Sequence, residues 1–396
     1  MAKSDRDVVV TGIGIVSSLG VGRAAHEALI LGDAAPAPIV DTERFAPYPV
    51  HPLPVIEWSE QIPKRGDQRQ MENWQRLGVF AAGLALDDAG FKDDAEACAS
   101  MDMIVAAGGG ERDIKVDSMI IDEGLKRNDR ETLLNEKLTT ELRPTLFLAQ
   151  LSNLLAGNIS IVHKVTGSSR TFMGEEGAGV SAVETAAARI RAGQSTHALV
   201  GGAFIAERVD IILMVEAIKG HQTGEWSSIW KRDKDHGGGM IMGSVGAFLI
   251  LESRGHAEAR GARIYCTIEA GEGDRGRRDE GRLEKRLDRM VEGAQPGLIL
   301  SGTTGFHDLA AREKSFFEAK FPQAAIRGFG GLIGHSVEAQ FTAGIALAAM
   351  ALGAGKPVAP FDKDHEKAMP APAGTALVTT IGHQRGEGIA LLAANA

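Results

Sequence analysis

The polar residues that could carry chemistry stand at glycine-rich turns that follow apolar runs. Ser17 occupies the position where a dinucleotide-binding fingerprint beginning at Gly12 would need its third glycine. Ser181 follows Gly179 at the right spacing but lacks the second glycine of a hydrolase nucleophile elbow. The 11 histidines are scattered, without a pair at metal-binding spacing next to a carboxylate. The sequence therefore predicts no nucleotide cofactor, no hydrolase-type serine and no metal site.

Three further blocks combine glycines with polar side chains and are more specific together than any of them alone. The first covers residues 171–179 and leads into a helical stretch and then a strand that ends at Gly201 and Gly202. The second covers residues 298–305, and the third covers residues 328–335 and ends in a histidine. Each block lies where an apolar run meets a turn or a helix.

The elements that must position these blocks alternate along the chain, which predicts an α/β architecture built in layers. Predicted strands lie at residues 8–10, 103–106, 197–200, 247–251, 265–268, 297–300 and 376–380. Predicted helices lie at residues 73–89, 180–192, 309–320 and 338–352. Proline-rich or aperiodic segments predict surface loops at residues 31–61 and 365–374. The turn that ends at Gly255 is the natural seam between two halves, residues 1–255 and 256–396.

Composition places the chain among ordinary globular proteins. Of its 396 residues, 44 % are hydrophobic and 24 % are charged, which allows a large core. A net charge of −9 gives no reason to expect nucleic acid or an anionic membrane as a partner. The basic run from Arg275 to Arg289 has Leu283 and Leu287 at helical spacing, so we interpret it as the charged face of an amphipathic helix.

Cysteine usage and the chain's apolar runs indicate the cytoplasm. The two cysteines, Cys98 and Cys266, are too few and too far apart for a disulfide framework. We expect Cys266 to be buried in a strand and Cys98 to lie on a surface helix or turn. The charged N-terminal residues do not resemble a signal peptide. The longest uncharged apolar run, residues 341–355, is shorter than the roughly 18 residues that a membrane span needs.

The chain resembles the elongating β-ketoacyl-acyl-carrier-protein synthases of the thiolase superfamily, from Val8 to Leu392. Residues 8–14 match the family's first strand and turn, residues 76–91 match its first long helix, and the three blocks follow in the family's order. The resemblance implies the thiolase fold, five layers α-β-α-β-α built from two similar halves, which is usually dimeric. It also implies acyl-chain elongation, in which malonyl-carrier-protein is decarboxylated and attacks a cysteine thioester.

The resemblance places Glu176 where the family carries its nucleophilic cysteine. The family needs a thiolate at a helix N-terminus, where backbone N–H groups and the helix dipole stabilise negative charge. Counting back from Gly201 assigns that position to Glu176, with Glu175 as the competing assignment. Neither side chain can form the thioester.

Three other catalytic positions of the family are also changed. Ser301 stands in the place of the first histidine and Gly330 in the place of the lysine. His383 lies where the family has an aromatic loop that gates the acyl pocket. Only the second histidine is retained, as His335. With Glu176, the four replacements indicate that this chain does not perform condensation.

A buried Glu176 would need compensation, because an unpaired buried charge is costly. The helix N-terminus supplies part of it. His335 should lie close by, and we hypothesise that a Glu176–His335 ion pair locks the former active site shut. The alternative is that Glu175 and Glu176 are tolerated drift at a dead site.

Two classes of function follow from the resemblance. The first is a non-catalytic partner subunit, similar to a chain-length factor, in fatty acid or polyketide biosynthesis. It would form a dimer with an active ketosynthase, or with itself, and would use an acyl carrier protein. In the family the segment from Thr145 to Gly157 packs near the dimer interface, and here it is apolar enough to do so. The second class is a residual enzyme, such as a malonyl-carrier-protein decarboxylase or a synthase with altered chemistry, which the loss of a histidine at Ser301 disfavours.

Overall fold

Strands and helices alternate along the chain in the computed structural model, which describes residues 3–144, 146–232, 239–279 and 281–395. The strands are β1 (Val8–Ser17), β2 (Gly20–Val21), β3 (Val50–His51), β4 (Asp102–Ala106), β5 (Ser169–Phe172), β6 (His197–Phe204), β7 (Met242–Gly243), β8 (Val245–Ser253), β9 (Cys266–Asp274), β10 (Leu298–Ser301), β11 (Ala325–Gly328), β12 (Thr375–Ile381) and β13 (Glu387–Ala394). The helices are α1 (Gly22–Ile30), α2 (Arg65–Gln70), α3 (Asn73–Ala89), α4 (Ala95–Ser100), α5 (Ile114–Gly124), α6 (Arg130–Thr140), α7 (Leu146–Ala149), α8 (Leu154–His163), α9 (Glu176–Arg191), α10 (Val209–Ala217), α11 (Arg254–Ala259), α12 (Arg282–Met290), α13 (Leu309–Lys320), α14 (Gly330–Ile333) and α15 (Gln340–Ala354).

Every strand and helix predicted from the sequence is present, most of them with longer bounds. The first strand continues past its predicted end to Ser17. Gly12 and Gly14 allow this, because a Cβ at Gly14 would collide with the backbone of Ala81 in α3 and one at Gly12 would meet Ala85. These glycines lie within the strand and not in a turn, where they bring β1 close to α3, and no nucleotide role is needed to account for them.

One mixed sheet connects both halves of the chain. Its strand order is β11-β10-β12-β13-β9-β1-β8-β6-β4-β5, with β2 paired to β1. The joint lies at β1, which pairs with β8 along most of its length and with β9 through Val8, Val9 and Val10. The pairs of β4 with β5 and β6, and of β10 with β11 and β12, are parallel. The division at residue 255 stays a prediction.

Alternate residues of the strands face different cores, and this defines the layers. In β10, Leu298 and Leu300 join the core that includes α9 and α15, whereas Ile299 joins a core with α12 and α13. In β4, Ile104 faces the α9–α15 core and Met103 faces a core with α3 and α8. Two helices thus lie between the sheet halves and others cover the outer faces, which confirms the α/β thiolase fold with its α-β-α-β-α order.

The central helix region is the most apolar part of the chain. Val337–Ala354 is long and apolar enough to cross a membrane, with a mean hydropathy of 1.4, but 83 % of it is buried inside the chain. Its neighbours in the central core explain that composition, since a helix between two sheet halves is covered on all sides. It is a core helix by its packing.

The structure agrees with the expectations for both cysteines. Cys266 is fully buried in β9, as predicted. Cys98 lies on a surface helix, α4, as predicted, but on its inner face, where its buried thiol donates to the carbonyl of Phe91. Both thiols are free.

The charged run around α12 forms the amphipathic helix that its spacing predicted. Leu283 and Leu287 are fully buried beneath it. Part of the basic face is not solvated, however. Arg278 and Arg286 both contact the buried carboxylate of Glu387, at 2.6 and 2.8 Å.

Candidate functional site at the start of α9

A sharp turn delivers two glutamates to the start of α9. Gly174 after β5 has φ +131°, and Glu175 has φ 57° and ψ −138°, which L side chains rarely adopt. A backbone in such a region costs on the order of 1–3 kcal/mol and persists where the surroundings hold it in place. The turn places Glu176 in the first helical turn, fully buried, and leaves Glu175 partly exposed.

The carboxylate of Glu176 is held by two imidazoles. Its Oε1 lies 2.8 Å from Nε2 of His335, 2.7 Å from Nδ1 of His383 and 3.0 Å from the backbone N of His383. Because an ionised carboxylate only accepts hydrogen bonds, both ring nitrogens carry the proton. The predicted contact between Glu176 and His335 is therefore confirmed, and it is joined by His383, the residue predicted at the position of the family's gate.

Hydrogen bonding outweighs burial in setting the charge of this group. Burial is the largest single influence on Glu176 and favours its neutral form, yet the hydrogen bonds from His335 and His383 hold its pKa well below the usual range. Burial also lowers the pKa of His383, but the Glu176 carboxylate beside it raises that pKa above its ordinary value overall. A lowered pKa of the carboxyl group and a raised pKa of the imidazole are the shifts expected for an ion pair between Glu176 and His383.

Two of the predicted positions lie apart from this cluster. Ser301 is buried at the end of β10, and its hydroxyl donates to Oε1 of Glu313 at 2.7 Å. Among the described residues, no hydrogen bond or ion pair joins Ser301 to Glu176. Gly330 begins α14, and a Cβ there would lie 2.5 Å from the carbonyl oxygen of Thr303. The backbone of Thr303 therefore leaves no room at Gly330 for a lysine.

Sequence reasoning missed one carboxyl group of the site. Glu338 is buried and lines the same cavity as His335 and His383. Burial raises its pKa to about 7, and the negative charges of Glu176 and Glu175 add to that effect. The available signal was its position: Glu338 follows His335 by three residues, and the turn after that histidine keeps the neighbouring residues close to the site.

A cavity of about 800 Å³ lies against the cluster. Its polar end is lined by Glu175, His335, Glu338 and His383. Its other walls are largely apolar and include Phe204, Ile211, Met214, Val215, Met240 and Met242. Glu176 is not among the lining residues, whereas His335 and His383, which contact its carboxylate, are.

Comparison with known proteins relates the chain to β-ketoacyl synthases. Residues 5–257 match the family model described as β-ketoacyl synthase, N-terminal domain. The 3-oxoacyl-[acyl-carrier-protein] synthase 2 of Vibrio cholerae serotype O1 is 26 % identical over 273 residues, which are 67 % of this chain and 62 % of that protein. The curated relatives are thus matched over less than two thirds of their length.

Solved structures share the fold over the whole chain. The ishigamide ketosynthase/chain length factor superposes with a TM-score of 0.77 at 21 % identity and covers 99 % of this chain and 100 % of its own. A type II polyketide ketosynthase solved with its acyl-carrier protein gives a TM-score of 0.72 at 17 % identity, with 100 % of both chains covered. The resemblance inferred from the three sequence blocks is confirmed, and since the family model covers well over half of its residues, the chain belongs to the β-ketoacyl synthase family.

Proposed function

We propose that this chain is a non-condensing partner subunit of an active ketosynthase in fatty acid or polyketide biosynthesis, comparable to a chain length factor. One observation carries the proposal. Glu176 stands at the helix N-terminus where the family has its nucleophile, and both His335 and His383 contact its carboxylate oxygen. Condensation needs a thiolate that can take up an acyl group. The two cysteines, Cys98 and Cys266, are buried in α4 and β9.

The remaining positions support the same proposal. In the family two imidazoles and a lysine assist the thiolate. Here Ser301 donates to Glu313, and Gly330 has no space for a side chain. Restoring condensation would therefore need more than a cysteine at position 176.

An exposed apolar surface near the cavity supports a partner of the same fold. Phe147 is 69 % exposed and Leu148 is 50 % exposed in the segment predicted to lie at the dimer interface, of which Thr145 lies outside the described residues. Leu213 and Met214 of α10 are more than 60 % exposed as well. Large exposed apolar patches mark interaction sites. Because Met214 also lines the cavity, a ketosynthase bound here would cover its mouth.

We further propose that an acyl carrier protein serves this assembly and that the assembly works in a reducing compartment. A structural neighbour was solved as an acyl-carrier protein in complex with its ketosynthase. We extend that arrangement to this chain, with the carrier delivering the growing chain to the active partner. Two buried free thiols are compatible with the cytoplasm.

A second candidate, a malonyl-carrier-protein decarboxylase, is favoured by one observation. Loss of the family's first histidine at Ser301 argued against it, but His383 brings a second imidazole to His335. Both rings line the cavity of about 800 Å³. An acyl group in that cavity would meet both imidazoles.

The test is to purify the chain alone and mixed with a catalytically intact ketosynthase from the same source. Both samples are assayed for condensation and for decarboxylation of malonyl-carrier-protein, with the ketosynthase alone as reference. We expect a heterodimer on size-exclusion chromatography and condensation only when the ketosynthase is present. Condensation by the isolated chain would overturn the proposal, and decarboxylation by the isolated chain would establish the second candidate.

A surface variant sharpens that test. Phe147→Ser should weaken the heterodimer, because it removes an exposed aromatic from the proposed interface. Val55→Ser is the matched control, since Val55 is 99 % exposed in a loop outside that surface. Equal loss of the heterodimer in both variants would contradict the proposed interface.

A further inference from the structure

Three side chains from distant parts of the chain converge on one point. Glu176, His335 and His383 each present one ligand atom, and these atoms all lie within 4.8 Å of one another. Two imidazoles and one carboxylate form a donor set that binds zinc and related ions, usually with a further position left open. We propose that these residues form a binding site for a divalent transition metal ion of the Zn²⁺ type, with its open position toward the cavity.

The present separations fit such an ion after a small adjustment. Ligand atoms at about 2.0–2.1 Å from a tetrahedral Zn²⁺ are about 3.3 Å apart. Here Oε1 of Glu176 lies 2.8 Å from the His335 nitrogen and 2.7 Å from the His383 nitrogen. Side-chain movements of roughly half an ångström would bring these two separations to that size, and the two histidine nitrogens lie within 4.8 Å of each other. The ion would replace the two ring protons that now lie between these atoms.

One oxygen of the cluster points to a missing partner. Oε2 of Glu176 is buried and has no hydrogen-bond partner among the described residues, although Glu176 is fully buried. A buried acceptor without a partner costs on the order of 1–3 kcal/mol. A cation bound by both oxygens of the carboxylate would offset that cost, whereas the hydrogen-bonded cluster by itself does not use this oxygen.

Glu175 is placed to orient one ligand. When Nδ1 of His383 binds the ion, Nε2 carries the remaining ring proton, and this nitrogen lies 3.9 Å from Oε1 of Glu175, so a side-chain movement of about 1 Å would bring the two into hydrogen-bond contact. Histidines that bind metals commonly donate this second N–H to a carboxylate, which fixes the ring and increases its basicity. Glu175 is therefore a positioning residue of the proposed site.

Charges of both signs surround the cluster. Glu175 and Glu176 lie at the start of α9, whereas Arg208 and Arg385 line the same cavity as His335 and His383. Glu338 adds a further carboxyl group at the cavity wall. The start of α9 itself opposes a cation, since a helix N-terminus is electropositive. A carboxylate that lies between the helix N-terminus and the ion is attracted to both positive charges.

This cluster cannot be recognised from local sequence spacing, which is why no metal site was predicted. Its histidines are 159 and 207 residues away from Glu176, so no local spacing shows them together. The proposal goes beyond the partner-subunit function. The metal site is tested by metal binding and not by an activity assay, so the metal site and the partner-subunit function can each be refuted without the other.

The experiment titrates Zn²⁺ into protein freed of metal with EDTA and follows binding by calorimetry. Co²⁺ serves as a second probe, because its visible spectrum reports ligand type and geometry. We expect one ion per chain. His383→Gln should lower the affinity at least tenfold, and Glu175→Gln should lower it roughly 10–100-fold. His365→Gln is the control, since His365 also contacts a carboxylate, Asp362 at 3.0 Å, outside the cluster.

The outcomes separate the site from adventitious binding. Loss of binding in His383→Gln with an unchanged circular dichroism spectrum, and retention in His365→Gln, support the proposal. Absence of stoichiometric Zn²⁺ binding to the unmutated chain overturns it, as does equal affinity in His383→Gln. A Co²⁺ spectrum of six-coordinate oxygen ligands would also overturn it, because it would place the ion elsewhere.

Discussion

Two buried glutamates, one in each half of the chain, differ in their partners and therefore in their charge. Glu176 at the start of α9 meets two imidazoles, and its pKa lies well below the usual range. Glu313 in α13 meets the hydroxyls of Ser301 and Thr379, and burial raises its pKa. Both are almost fully shielded from solvent. Burial alone does not decide the charge of a carboxyl group; the donors around it do.

The largest effect is expected from Glu176→Gln in metal-free buffer. The change removes the anion while leaving the imidazole of His335 buried, and that of His383, whose pKa the carboxylate raises, partly buried beside a neutral amide. Breaking a buried ion pair in this way costs about 3–5 kcal/mol. Urea unfolding followed by circular dichroism measures the loss. A change below about 1 kcal/mol would show that the pair is neutral or weak.

An intermediate effect concerns pH and Glu338, another buried carboxyl group. Its pKa of about 7 in the folded chain is above its ordinary value of 4.5. Stability from this group is full below about pH 4.5 and is lost as pH rises to about 7, because the unfolded chain releases the proton first. The expected loss is about 3 kcal/mol over that range.

The measurement compares Glu338→Gln with the unmutated chain in urea at several pH values. The variant keeps the shape of the side chain but cannot titrate. Its stability should equal that of the unmutated chain near pH 4.5 and exceed it near pH 8. Parallel profiles over the whole range would mean that Glu338 titrates normally.

The smallest effect is expected from Glu313→Gln. Its partners are neutral hydroxyls and its pKa is raised, so an amide of the same shape replaces the carboxyl group with little change in charge. We expect less than about 1.5 kcal/mol of destabilisation, the net worth of one hydrogen bond. The same urea assay measures it. A loss as large as that in Glu176→Gln would remove the contrast between the two sites.

The sequence predicted the layers well, because hydrophobic periodicity follows from local backbone geometry. The helices Asn73–Ala89 and Leu309–Lys320 have the predicted bounds. Helices such as α5 and α6 were not predicted, since their apolar faces are weak; in each, one residue is buried, Val116 and Leu133. The site was predicted in part: the meeting of Glu176 with His335 followed from the resemblance, but the role of His383 did not.

What the sequence by itself determined is the residue type at position 176, a glutamate, which cannot form a thioester whichever way the chain folds. Its equivalence to the family's nucleophile stays a prediction. Tertiary structure alone decided that His383 and His335 share one oxygen of Glu176 and that Ser301 turns to Glu313. The physical reason is distance along the chain: these partners come together only when the two sheet halves close on α9 and α15, and no local pattern encodes that closure.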